Sequence, residues 1–174
     1  MADVYAVFGT LLALGIAFPG LLTGWWLLFP DAVGRARVRI GATPMRSFFF
    51  GVAAVILTAV PVGLLNAIPL GITKMAGTLI ILGAFGVATL GAAAIAGEMG
   101  DRLREQGVPT LSRAGAFVRG AVALELAAVF PIVGWFLVIP GVLLAGYGAG
   151  VFAILRWLPR PRLAPRPEAA LTQA

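Results

Sequence analysis

Seven carboxylates are spread along this 174-residue chain, and one of them sits where a charge is costly. Glu125 falls near the middle of an apolar run, where an ionised side chain costs on the order of 2.5–3.5 kcal/mol to place in a bilayer. A carboxyl there is expected to be neutral or paired. Two uses fit it: a proton or substrate site, or a polar clamp between helices. Candidate partners on other runs are Thr58, Asn66 and Tyr147. Arg119 lies six positions away, off the same helical face, and is expected to extend its guanidinium toward the headgroups. No second carboxylate accompanies Glu125 to make a relay.

The rest of the composition narrows the chemistry further. The chain has neither cysteine nor histidine. It therefore has no disulfide, no Cys/His metal site, no Cys-His nucleophile pair and none of the usual His or Cys haem ligands. The expectation is a non-enzyme with no cofactor held by side-chain ligation, although lipid or other apolar ligands could lie against it.

Residue spacing also offers a structural device. Small residues recur at every fourth position in Ala84, Ala88, Ala92 and Ala96, with Ala76 and Gly100 in the same register and Ile80 the one interruption. Gly146 and Gly150 repeat the pattern later in the chain. Positions four apart share a helical face, and small faces let helix backbones approach closely where no hydrophobic force drives association. The stripe serves either packing within the chain or docking of a partner subunit.

These residues need membrane helices to carry them. The chain is 60% hydrophobic and 11% charged, against roughly 25% charged for a soluble domain. Apolar runs near residues 4–29, 47–67, 75–97, 114–133 and 135–157 are each close to the ~20 residues that cross a hydrocarbon core. The expected fold is all-α and integral to the membrane, with about five transmembrane helices. Three spans plus two re-entrant hairpins would fit the charges equally well. The first run has no basic segment ahead of it and is too long for a signal-peptide core, so it is expected to remain as a span. Pro19-Gly20 should kink it. Residues 1–157 form the transmembrane domain, and 158–174 form an extended Pro/Arg-rich tail.

The net charge of +6 does not point to nucleic acid, because the basic residues, all but one of them Arg, gather in short clusters between or after apolar runs. The clusters are Arg35–Arg46, Arg102–Arg113 and Arg156–Arg166, with Lys74 the exception between runs. Each cluster reads as a short loop or tail. The positive-inside rule puts all three in the cytoplasm, with the N-terminus and the turns near Pro69 and Pro131 outside. Trp25, Trp26 and Trp157 then lie at the inner interface, and Trp135 and Tyr5 at the outer one, the depth that indole and phenol rings prefer. Anionic lipids and other membrane subunits are the expected partners.

Aligning Phe48 with Phe117 brings Gly51 onto Gly120, Ala54 onto Ala123, Leu57 onto Leu126, Ala59 onto Ala128 and Val60 onto Val129. This suggests two helical hairpins related by an axis along the membrane normal. From Thr43-Pro44 onward the chain also resembles the membrane segment that follows the bactofilin-type domain in some bacterial polymer-forming proteins. The residues carrying the resemblance are Thr43, Pro44, Arg46, Ser47 and Gly51, then Ile68-Pro69-Leu70, then Phe130-Pro131-Ile132-Val133-Gly134-Trp135, and finally Gly146, Gly148 and Ala149. It covers about three quarters of the chain. It implies a helix-hairpin membrane module and transfers no catalytic residue, and the polymerising domain itself has no counterpart here.

The sequence thus leads to a non-catalytic accessory or scaffolding subunit of a larger bacterial inner-membrane complex. An energy-transducing host such as a photosynthetic reaction centre–antenna or respiratory assembly is attractive by class alone. The alternative is a small transporter or channel using Glu125.

Overall fold

The computed structural model describes residues 2–107 and 112–157. The tail from residue 158 and the 108–111 connection, on which part of the sequence reading rests, lie outside the described residues. The described fold is all-helical: α1 (Ala2–Leu28), α2 (Pro30–Ala42), α3 (Pro44–Ala67), α4 (Gly71–Gln106), α5 (Arg113–Val129), and α6 (Ile139–Ile154) entered through a π-helical turn, Gly134–Val138.

Three of these helices are long and apolar enough to cross a membrane: α3, α4, and α6 with its π turn. A fourth crossing is added if α1 and α2, bent by 107° at their junction, count as one broken span. At 1.5 Å per residue α4 is about 54 Å long, well beyond a ~30 Å hydrocarbon core. The 17 residues of α5 reach only about 25 Å.

Proline and polar caps set the boundaries. Pro30 opens α2 and Pro44 opens α3, each at a first-turn position that needs no N–H donor. Ser112 caps α5 by accepting a hydrogen bond from Gly115 N at 3.1 Å. α1 continues through Pro19 as one helix, and Thr23 Oγ1 donates to the Pro19 carbonyl at 2.7 Å. A sharp change of direction, 107°, comes at Phe29-Pro30.

Two segments read as loops are helical. Arg35, Arg37 and Arg39 lie on α2, a short helix with buried Val33 and Ala36 on its inner side. Glu98, Asp101, Arg102 and Arg104 continue α4 without interruption. A charge-based topology reading sees only that both segments are polar and bounded by glycine or proline. It does not register that Val33, Ala36 and Ile40, three and four positions apart, give α2 one apolar face.

The core is built from backbone contact more than from large side chains. α4 lies at the centre, flanked by α3, α5 and α6. A Cβ at Gly91 would collide with the backbone of Gly146, one at Gly120 with Ala96 and Gly100, and one at Gly51 with Leu144. Glycine is required at these crossings by proximity, since each lies at ordinary helical φ. In lipid, where apolar burial gives no net drive, such close packing supplies the attraction.

One end of the bundle gathers the first two basic clusters and the C-terminus of α6. Arg37 pairs with Asp101 and lies 3.5 Å from Glu98, and Arg102 reaches Glu98 at 3.5 Å. Arg35 Nε donates to the Ala153 carbonyl at 2.8 Å, placing positive charge at the C-terminal end of α6. Arg39 lies 3.9 Å above the Phe152 ring, which also packs on Phe50 at 4.2 Å and Trp157 at 6.2 Å. α2 is thereby tied to α3, α4 and α6 at once.

Candidate functional site

α5 brings Glu125 to the wall of a cavity of about 450 Å³ between α1, α4, α5 and α6. Phe18, Phe85 and Trp135 supply aromatic surface, Ala92, Leu124 and Val142 aliphatic surface, and Thr89 the second polar side chain. The helices hold this space open because their closest approaches lie elsewhere: α4 meets α5 at Ala96–Gly120, and α4 meets α6 at Gly91–Gly146. α1 passes beside the carboxylate at Gly15, where an added Cβ would rest 3.6 Å from Glu125 Oε1.

Thr89 is already engaged. Its hydroxyl accepts from Trp25 Nε1 at 3.0 Å and donates to the carbonyl of Phe85 or Gly86 on its own helix, both at 3.0 Å. Glu125, half-buried, has no hydrogen-bonding or ionic partner among the described residues. Thr58 and Tyr147, expected as its partners, instead bond each other at 2.8 Å across α3 and α6. Asn66 donates to the Val62 carbonyl at 2.9 Å. The reason is position: these three residues lie on or against α3, on the opposite side of the α4–α6 pair from α5. Arg119 is exposed on α5.

A second cavity, about 400 Å³, lies on that opposite side between α3, α4 and α6, with the Thr58–Tyr147 pair in its wall. Phe85 and Leu143 border both cavities. The two differ in chemistry: one has its hydroxyl groups paired, the other has a carboxyl group with no partner among the described residues.

The small-residue stripe is turned inward. Ala88, Ala92 and Ala96 are buried, Ala84 half-buried, and Gly146 and Gly150 buried where α6 meets α4 at Ala88, Gly91 and Val87. Spacing alone could not choose between an internal and an external use. Two features were not anticipated: the π turn that brings Trp135 and Val138 to the cavity wall, and, just before that turn in the chain, Ile132, whose φ of 64° is left-handed. A Pro-β-branched-β-branched-Gly turn, Pro131 to Gly134, is the available sequence signal for both.

No group of three or more His, Cys, Asp or Glu able to hold a metal occurs among the described residues. No family model, curated protein or solved structure matches the chain.

Proposed function

We propose that the chain is a non-catalytic accessory or scaffolding subunit of a larger bacterial inner-membrane complex, an energy-transducing assembly being one class of host. The observation that carries this reading is α3. It is apolar enough to span, yet only 6% of its most apolar stretch is buried, against 44% for α4. Phe49, Ile56, Leu57, Val60 and Leu64 face outward along it, while its inner face is held at Gly51 by backbone contact. A rigid bundle with one barely covered spanning helix and a fixed basic end suits a part that positions neighbours. The resemblance to the helical module of polymer-forming proteins is in keeping with such a role.

In this reading the basic end faces the cytoplasm and anionic lipid, and the N-terminus and the Pro69 and Pro131 turns lie outside. The chain crosses five times, α5 completing its passage through the Phe130–Val133 turn. The Gly51/Gly120 correspondence reflects two related hairpins, since both glycines sit at helix crossings.

The Glu125 cavity favours transport as a second reading. Against conduction, the Ala96–Gly120 crossing lies about one turn from the cavity toward the basic end, and neither it nor the Gly91–Gly146 crossing beside the cavity leaves room for even a methyl group. Photo-crosslinking from Leu57 and Leu64 in native membranes tests the favoured reading. Discrete adducts with another membrane protein are expected from these positions and none from buried Ala88; lipid adducts alone would refute it.

A further inference from the structure

The Glu125 cavity has a composition that selects for one kind of molecule. Its walls are almost wholly apolar, its size falls in the range of about 300–1,000 Å³ typical of small-molecule sites, and it lies within the apolar part of the helices. Thr89 has its hydrogen committed to its own helix and an acceptor position taken by the Trp25 indole. Among the described lining residues, the polar capacity left is the Glu125 carboxyl group and the Trp135 indole N–H, together with the faces of Phe18, Phe85 and Trp135.

A carboxylate in apolar surroundings is stabilised by a partner of opposite charge, and aromatic faces attract cations too. We infer that this cavity is a binding site for a lipophilic ammonium, a molecule with a hydrocarbon body and one protonated amine, whose nitrogen lies against Glu125. The body fills the space between α4, α5 and α6. The same chemistry gives lipophilic acids no ionic partner at Glu125, and it gives neutral alcohols only a hydrogen bond. The site is independent of the accessory-subunit reading, since it is formed within this one chain.

Trp135 lines the cavity and serves as the reporter. The full chain, purified in mild detergent, would be titrated with an ω-brominated dodecylamine, whose bromine quenches indole fluorescence, and separately with the brominated dodecanol. Saturable quenching by the amine is expected, reversed by unbrominated dodecylamine and largely lost in Trp135→Phe. The alcohol should bind at least about tenfold more weakly, the usual margin for a hydrogen bond to a charged group. Glu125→Gln, which keeps the shape and removes the charge, should abolish the preference for the amine. Equal affinity for amine and alcohol, tighter binding of the alcohol, or a preference that survives Glu125→Gln would each overturn the proposal. The amine–alcohol comparison needs no mutation, so it decides even if the Gln variant does not fold. Ala128→Phe, which fills the cavity and leaves the carboxylate in place, should remove saturable binding, and quenching unchanged by it would place the amine elsewhere.

Discussion

Replacing Gly91 by alanine adds one methyl group at the crossing of α4 and α6. A Cβ there would stand 2.5 Å from Gly146 Cα and closer still to its carbonyl, against an optimum of about 3.5–4.0 Å between carbon atoms. No flexible side chain can give way, so α6 must retreat by roughly 1 Å. A gap of that size forfeits about a quarter to a half of the dispersion energy at each separated contact, and overpacking of this kind costs about 1–3 kcal/mol. Gly83, eight positions earlier on the same helix, has nothing within 4 Å. Gly83→Ala therefore isolates the helix-propensity gain of about 0.8–1.0 kcal/mol. Gly91→Ala should be the less stable of the two by about 1–3 kcal/mol, the overpacking cost itself, because the propensity gain is common to both. Unfolding of the purified protein in mixed micelles, followed by tryptophan fluorescence, reads both on one scale. If Gly91→Ala were as stable as Gly83→Ala, the backbone-contact account of the core would be wrong.

Further outcomes follow from particular residues. Trp157 N–H donates to the Phe152 carbonyl and Arg156 N–H to that of Ala153, which leaves Arg156 at φ 56° in a position that favours glycine; Arg156→Gly should raise stability by up to about 1 kcal/mol in thermal unfolding. Arg37→Met removes the ion pairs to Asp101 and Glu98, and because these side chains are a quarter to two-fifths exposed the loss should be at most about 1 kcal/mol and smaller in high salt. Ala88→Leu, on the buried face of α4, should destabilise the isolated chain in the same unfolding assay, by about 1–3 kcal/mol. In intact cells, single cysteines at Ile68 and Ile132 should react with an impermeant thiol reagent, and one at exposed Val38 only after permeabilisation. Labelling at Ile68 without Ile132 would make the α5–α6 hairpin re-entrant, and labelling at Val38 alone would invert the orientation.

Long apolar runs made most of the membrane helices legible, because twenty apolar residues in a row have few other destinations. Ends and bends were harder to read. Pro19 was legible as a helix-interior proline, but the 107° turn where Phe29 meets Pro30 was not. The apolar face of α2 was hidden among arginines. Glu125 was conspicuous as a charge out of place, but its surroundings depend on which side of the α4–α6 pair each helix occupies. That arrangement is set by glycine crossings such as Gly91–Gly146, whose pairing no local pattern reveals. For the same reason the alanine stripe could be seen and its partner could not.

The accessory-subunit account is tested most directly by the size of the particle in which the full chain leaves its native membrane. Extracted in mild detergent and separated by native electrophoresis with mass spectrometry of the band, the chain should migrate with other membrane proteins at fixed stoichiometry. Bulky polar substitution at Leu57 and Leu64 on α3 should release it as a folded monomer. Migration as a stable monomer directly from the native membrane would contradict the account.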